Sequence, residues 1–322
     1  MSNQGLVNVL VAGRLAIKQH AFEFGAASLI ALLVGVAALA VALHFMSVGM
    51  PTACLEGWLS GASAGGGCES FLQAFGRINE DEASPIFAAM AVLPFAAGLV
   101  AGVPIVGREL ETRTAQTAWW LESSRRKWLG RQLMAPAAMV LISVGVAATA
   151  TALLQATRES WAPTSADTVL LFGWPVLFRA FAAFGIGLFV GSLMGRILPA
   201  LIVGTALCLA VAFAMSSVQA QWMRGQAKAV VDDPGWHGHS YGVAYVDPDG
   251  QVHSEAEAVG IAPAAAPNAY DWLEANGYTE VPLGVSDQAA AGWRTYDVAM
   301  FAAIGIFSVL GTIVVVSRRR PQ

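Results

Sequence analysis

Six apolar runs, each close to the ~20 residues that cross a hydrocarbon layer ~30 Å thick, constrain this chain more than anything else in it. They extend from about Gly25 to Met46, Pro85 to Val106, Leu133 to Leu154, Trp174 to Met194, Pro199 to Val218 and Val298 to Val316. Hydrocarbon offers no partner to a backbone N–H or C=O, so runs of this length are expected to be helices. Pro94 and Pro104 fall within the second and are expected to bend it. Composition agrees with lipid as the solvent. Hydrophobic residues make up 56% of the 322 positions and charged residues 12%, against roughly 25% charged in a soluble domain. Mean hydropathy is +0.58. A net charge of −4 argues against a nucleic-acid binder. Arg14 and Lys18 precede the first run, but that run is longer than a signal-peptide core and no small-residue cleavage pattern closes it. It is expected to be a retained span.

Lys and Arg set the expected orientation. With the N-terminus inside, twelve of them lie in inner segments: Arg14, Lys18, Arg108, Arg113, Arg125, Arg126, Lys127, Arg131, Arg196 and Arg318 to Arg320. Five lie in outer segments: Arg77, Arg158, Arg224, Lys228 and Arg294. This bias predicts that both termini are cytoplasmic. The long outer segment, about Gln219 to Tyr296, carries ten acidic residues and no crossing-length run. Within it, Tyr241 to Val246 reads as a strand entering the Asp247-Pro-Asp-Gly250 turn, and Gln251-Val-His253 as its return. Asn268 to Asn276 reads as a short helix, begun at Asn268 or Asp271 and stopped by Gly277. A small external α+β domain is expected. Cys54 and Cys68 share a Gly-rich loop that closes a disulfide readily if it faces an oxidising exterior; the alternative is two free thiols. Cys208 lies in an apolar run and is expected to be a packing residue.

The densest cluster of charge is Gly107 to Gln132. Glu109 and Arg113 are four apart in the acid-first order that favours a helix. Leu110, Thr114, Thr117 and Leu121 recur at helical spacing beside Trp119 and Trp120. The pattern suits an amphipathic helix at a membrane face, its tryptophans at headgroup level. The plainer reading is an interfacial loop that obeys the positive-inside rule. Gly187, Gly191 and Gly195 repeat every four residues in the fourth run, as Gly98 and Gly102 do in the second. Small residues on one face let helices approach closely in lipid, although a chain with 33 glycines yields some such spacings by chance.

Arg179 lies inside the fourth run. An intramembrane charge costs about 2.5–3.5 kcal/mol on insertion scales. It either lines a substrate path or sits near the outer interface and snorkels; Trp174 and Pro175 at the start of the run favour snorkelling. His237, His239 and His253 lack a metal-ligand pattern and are expected to be solvated, so no metal is assigned. Ser192 has no serine-protease context, and neither an H-E-x-x-H nor a phosphate-binding G-x-x-x-x-G-K-[ST] occurs.

The 107–132 segment resembles the signature region of ABC-2-type permeases, particularly the compact actinobacterial group. Their pattern, R-E-x-E-x-G-T-x-x-x-A-W then S-R-x-[RK]-W-L, is matched by Arg108, Glu109, Glu111, Thr114, Ala118, Trp119, Ser124, Arg125, Lys127, Trp128 and Leu129. Arg113 stands where the family has Gly. Arg14 to His20, Gly191 to Pro199, Val246 to Gly250 and Leu273 to Gly277 are similar to further family features. The resemblance implies an all-α membrane protein of six helices in the plasma membrane. It implies a cytoplasmic lead-in helix over 1–24 and spans one to five over 25–218, with a coupling helix at 107–132. An extracellular domain over 219–296 and the sixth span with a basic tail over 297–322 complete the division.

It also implies a pair of such subunits, a homodimer or a heterodimer with the homodimer favoured, working with two copies of a separate ATPase that holds the ATP and Mg. Arg108, Glu109, Glu111, Thr114, Trp119, Arg125 and Trp128 would then bear on the ATPase. The chain would export an amphipathic or apolar substrate without being an enzyme itself. The rival expectation is a non-transporting membrane sensor or immunity protein that presents an external ligand-binding domain.

Overall fold

Helix follows each apolar run and in most cases outlasts it. The computed structural model describes residues 21–49, 54, 68–112, 125–159, 165–230, 238–263 and 268–318. In chain order the elements are α1 (Ala21–Val48), α2 (Glu69–Arg77), a π-helical stretch (Ile78–Ala83), α3 (Ser84–Glu111), α4 (Arg125–Glu159), a 3-10 turn (Ala166–Leu170), α5 (Trp174–Met194) and α6 (Ile197–Gln226). Then come β1 (Lys228–Ala229), β2 (Gly238–Val246), β3 (Val252–Ser254), α7 (Glu255–Ile261), α8 (Ala269–Ala275), β4 (Thr279–Ser286) and α9 (Asp287–Arg318).

Among the described residues, six helical stretches are long and apolar enough to cross a membrane: Phe24–Val48, Glu69–Glu111, Gln132–Arg158, Trp174–Met194, Ile197–Gln226 and Asp287–Arg318. Span four has the bounds expected of it. The fifth and sixth helices run well past their apolar runs, to Gln226 and back to Asp287. Hydropathy falls at Gln219, Gln221 and Arg224 and again before Val298, but backbone hydrogen bonding does not stop there. The described strands accordingly all lie between Lys228 and Ser286. Pro94 and Pro104 both lie within α3, which continues through them as one helix.

The bundle is organised around α5, which packs against α3 on one side and α9 on the other, while α1 pairs with α4. Phe24, Met90, Leu93, Ile105, Val144 and Leu188 belong to its largest apolar core. The outer surface is apolar as well: Leu198, Ile202, Leu209 and Phe213 on α6 are exposed, as are Leu29, Leu33 and Leu43 on α1. In water such a surface would be a large aggregation hazard; against lipid it costs nothing. At one end of the bundle His44 Nδ1 and Glu82 Oε2 meet at 2.9 Å, joining the end of α1 to the π-helical stretch. Cys54 and Cys68 are disulfide-bonded at that end, with their Cα atoms 5.4 Å apart, and Cys208 is a buried free thiol.

The sheet has the order β1-β4-β2-β3 and every pair is antiparallel. The expected hairpin is present, with Tyr245 opposite His253. Its turn is held by Asp247, whose Oδ1 accepts from the N–H groups of Asp249 and Gln251, and Gly250 supplies the positive φ of 82°. The short helix is present too: the Asn268 side chain accepts from Tyr270 N–H at its start. Ser254 and Glu257 form a capping box on α7. Tyr245, Ala258 and Leu273 make a small core beneath these helices. One strand-to-helix relationship matters most. β1 follows directly from α6 and β4 runs directly into α9, and the two strands pair with each other. The sheet therefore ties spans five and six together at their ends.

Candidate functional site

The charged residue of span four is not at the bundle surface. Gly173, at φ 71°, and Pro175 start α5, which places Arg179 in its second turn. The unbroken run of α9 from Asp287 places Asp297 in its third. The two meet in a forked pair: Arg179 Nη2 donates to Asp297 Oδ1 at 3.0 Å and Nε donates to Oδ2 at 3.3 Å. The Asp297 side chain is 0% exposed and that of Arg179 only 12%. The guanidinium also lies over the Phe301 ring, 5.4 Å from its centre. A bidentate carboxylate on the neighbouring helix thus satisfies the guanidinium fork that water would otherwise serve. Asp297 carries no signal of its own in the sequence, because it stands one residue before the sixth apolar run and looks like the rim of a loop.

Aromatic rings flank this pair on both sides along α9. Trp293 lies one turn before Asp297 and is 2% exposed. Its ring is 5.7 Å from that of Trp222 and 5.1 Å from that of Tyr296. Phe95 of α3 meets Phe301 at 5.9 Å. Tyr241 of β2 reaches Ala220 O from above with a 3.0 Å hydrogen bond. Trp222, Trp293, Phe95, Phe301 and Tyr241 share one apolar cluster with Leu170, Met215, Met223 and Val285, so the sheet and spans five and six form a continuous packed body that reaches the polar pair at Phe301.

The glycine pattern marks where the backbones of α3 and α5 touch. A Cβ at Gly98 would stand 2.5 Å from Ala180 O and 2.7 Å from Phe184 N, and Gly102 faces the Phe184 backbone. A Cβ at Gly187 would be 3.1 Å from Val103 N, and one at Gly191 2.7 Å from Val103 O. Spans two and four are thus each other's partners. Gly195 does not join this face. At φ 63° it caps α5 in the left-handed conformation, its N–H on Gly191 O. A second close approach has no counterpart in the sequence pattern. A Cβ on Gly185 would lie 2.8 Å from Gly305 O on α9. Gly305 stands six residues or more from Gly292 and Gly311, the other glycines of span six, and so carries no periodic signal.

The charged elbow, expected to hold a coupling helix over 107–132, is described at its two ends, up to Thr112 and from Arg125. Arg108, Glu109 and Glu111 form the last turn of α3, and Arg125 and Trp128 lie in the first turns of α4. Thr114 and Trp119 lie outside the described residues. Thr112 closes α3 through its N–H and Oγ1 on Arg108 O. Glu111 reaches across the chain: its Oε2 accepts from the backbone N–H of Ile197 at 3.1 Å. Ile197 is the first residue of α6, so the carboxylate caps the helix of span five at its positive end.

Among the described residues, no group of three or more His, Cys, Asp and Glu side chains is arranged to hold a metal. His253 Nε2 meets Asp247 Oδ2 at 3.0 Å and His239 Nε2 approaches Asp287 Oδ1 at 3.5 Å; His237 lies outside the described residues. The hydrogen bond from His253 and those from the turn backbone hold the Asp247 carboxyl below its ordinary range. These contacts stabilise the hairpin.

Residues 33–219, more than half of the chain, match the family model described as ABC-2 membrane transporter related. No curated protein and no solved structure matches the chain. The match extends from span one into span five and includes the elbow, the glycine contacts between spans two and four, and Arg179. This multi-pass membrane protein belongs to the ABC-2 membrane transporter related family, whose members are permease components of transporters.

Proposed function

We propose that the chain is the membrane-spanning subunit of an ATP-driven exporter, paired with a second copy of itself and with two copies of a separate cytoplasmic ATPase that binds ATP and Mg. The observation that carries this reading is the family match across residues 33–219, which takes in the elbow between spans two and three. On this reading both termini and the elbow face the cytoplasm of the plasma membrane, as the Lys and Arg bias favours. The strand-bearing unit faces outward. Arg108, Glu109, Thr114, Trp119, Arg125 and Trp128 serve the contact with the ATPase.

The substrate is amphipathic or apolar, in keeping with a bundle that offers little charge inside. Spans two and four, clamped backbone to backbone at Gly98, Gly102, Gly187 and Gly191, form the stiff element. Spans five and six, tied through the sheet, form the element that moves. Arg179 is the cation of a lock between the two, closed on Asp297 and released when the route opens outward. Co-purification tests the assembly. Tagged chain expressed with its neighbouring genes is expected to bring down an ATPase in equal amount; recovery of the chain alone would instead favour a sensor that presents its strand-bearing unit to a ligand.

A further inference from the structure

We propose that Glu111 is a positioning residue that transmits movement of the elbow to span five through its hydrogen bond to Ile197, rather than by touching the ATPase. The inference rests on the proposed pairing with an ATPase and deepens it by naming the path. Three observations carry it. The Glu111 carboxylate accepts from Ile197 N–H at 3.1 Å, across 86 residues of sequence. Ile197 opens a 30-residue helix whose other end leads into β1, so a pull on its first turn acts on the whole of span five and on the sheet. The link before it is short: Gly195 caps α5 in the left-handed conformation and Arg196 is extended at φ −142° and ψ 135°. Two non-helical residues between two helices form a hinge point, and Glu111 holds its far side.

Close packing supports the same path. A Cβ on Gly191 would lie 2.7 Å from Val103 O, and one on Gly107 would lie 3.9 Å from Ile197 Cγ1. The last three turns of α3 therefore bear on both sides of the hinge. A carboxylate at a helix N-terminus is favoured by the helix dipole, and one accepting a backbone N–H makes a charge-assisted bond. Such a contact is strong enough to pass on a displacement and weak enough to reform in each cycle.

The test uses the full chain with its ATPase in lipid. The chain carries spin labels at Leu43→Cys and Phe213→Cys, exposed positions on α1 and α6. The distance between them is read with and without ATP and vanadate. Glu111→Ala is expected to leave ATPase co-purification intact while lowering the population that reaches the vanadate-bound distance by roughly three- to tenfold. Glu111→Gln retains an acceptor oxygen and is expected to keep most of the change. Ile197→Pro removes the donor at a first helical position, where proline is tolerated, after an Arg196 whose extended conformation proline accepts. It is expected to match Glu111→Ala, and the double variant to be no worse than either. Ile197→Ala keeps the N–H and is expected to behave as wild type, which separates the hydrogen bond from side-chain packing. Failure of Glu111→Gln together with loss of the ATPase would place the charge on the partner and overturn the relay. So would wild-type behaviour of Glu111→Ala. A wild-type chain that binds no ATPase removes the functional reading itself, and the relay with it.

Discussion

Arg179 on span four and Asp297 on span six, 118 residues apart, close on each other through two parallel hydrogen bonds inside the bundle. A buried pair of this kind gains little over apolar residues of the same size, but loss of one partner strands a charge, which costs about 3–5 kcal/mol. Asp297→Ala and Arg179→Ala are therefore expected to lower the unfolding temperature in detergent sharply. The double change Arg179→Met with Asp297→Leu is expected to recover most of it. Thermal unfolding followed by fluorescence-detected size exclusion checks the series. A loss in the double variant equal to the sum of the two single losses would mean that the pair is not coupled.

Backbone proximity at the glycines makes a contrasting prediction. Gly98→Val and Gly191→Val would push side chains into the carbonyls of Ala180 and Val103, and both are expected to abolish recovery of monodisperse protein. Gly130 lies in α4 with nothing within 4 Å of an added Cβ. Gly130→Ala is expected to stabilise by about 0.5–1 kcal/mol, the ordinary gain of replacing glycine within a helix. Yield after solubilisation and the unfolding midpoint separate the two classes.

What is legible in the sequence follows from what lipid demands. Runs of the right length reveal six helices, and the spacing of Gly98 with Gly102 and Gly187 with Gly191 reveals a contact face. Turn chemistry at Asp247 to Gly250 and at Asn268 is local, so the hairpin and α8 are readable too. Pairings between distant helices are not. Nothing near Asp297 says that Arg179 waits on another span, since hydropathy scores it as the edge of a loop. Glu111 reads as part of a charged motif for a partner, whereas its observed contact is with Ile197. Gly305 meets Gly185 without any repeat to announce it. Such relationships depend on how helices are placed against one another, and each leaves only a single residue as its trace.

Acid is expected to loosen the hairpin. The Asp247 carboxyl is held below the ordinary aspartate value of 3.8 by His253 and by the N–H groups of Gln251 and Asp249. Glu257 is lowered likewise by its capping-box bonds to Ser254. A carboxyl whose folded value is depressed contributes stability that is fully present above its unfolded value and lost as pH falls through the folded one. Amide exchange over 247–257, corrected for intrinsic rates, is therefore expected to be protected at pH 5 and to speed up as pH falls below 3.8. Asp247→Asn should raise exchange at pH 5 and flatten the dependence. Steeper acid sensitivity in that variant would refute the assignment.

Sidedness has the plainest consequence for the proposed mechanism, because an elbow outside the cell meets no ATPase. The native cysteines make a quiet background for testing it: Cys54 and Cys68 are bonded and Cys208 is buried. Asp249 is exposed in the hairpin turn. A membrane-impermeant maleimide is expected to label Asp249→Cys on intact cells and to leave Arg318→Cys, at the exposed end of α9, unlabelled until the membrane is opened. The helices alternate in direction, so the end of α3 at Glu111 and the end of α9 at Arg318 lie on the same side. Labelling of Arg318→Cys from outside would therefore put the elbow outside as well, and the coupling of this permease to a cytoplasmic motor would fall with it.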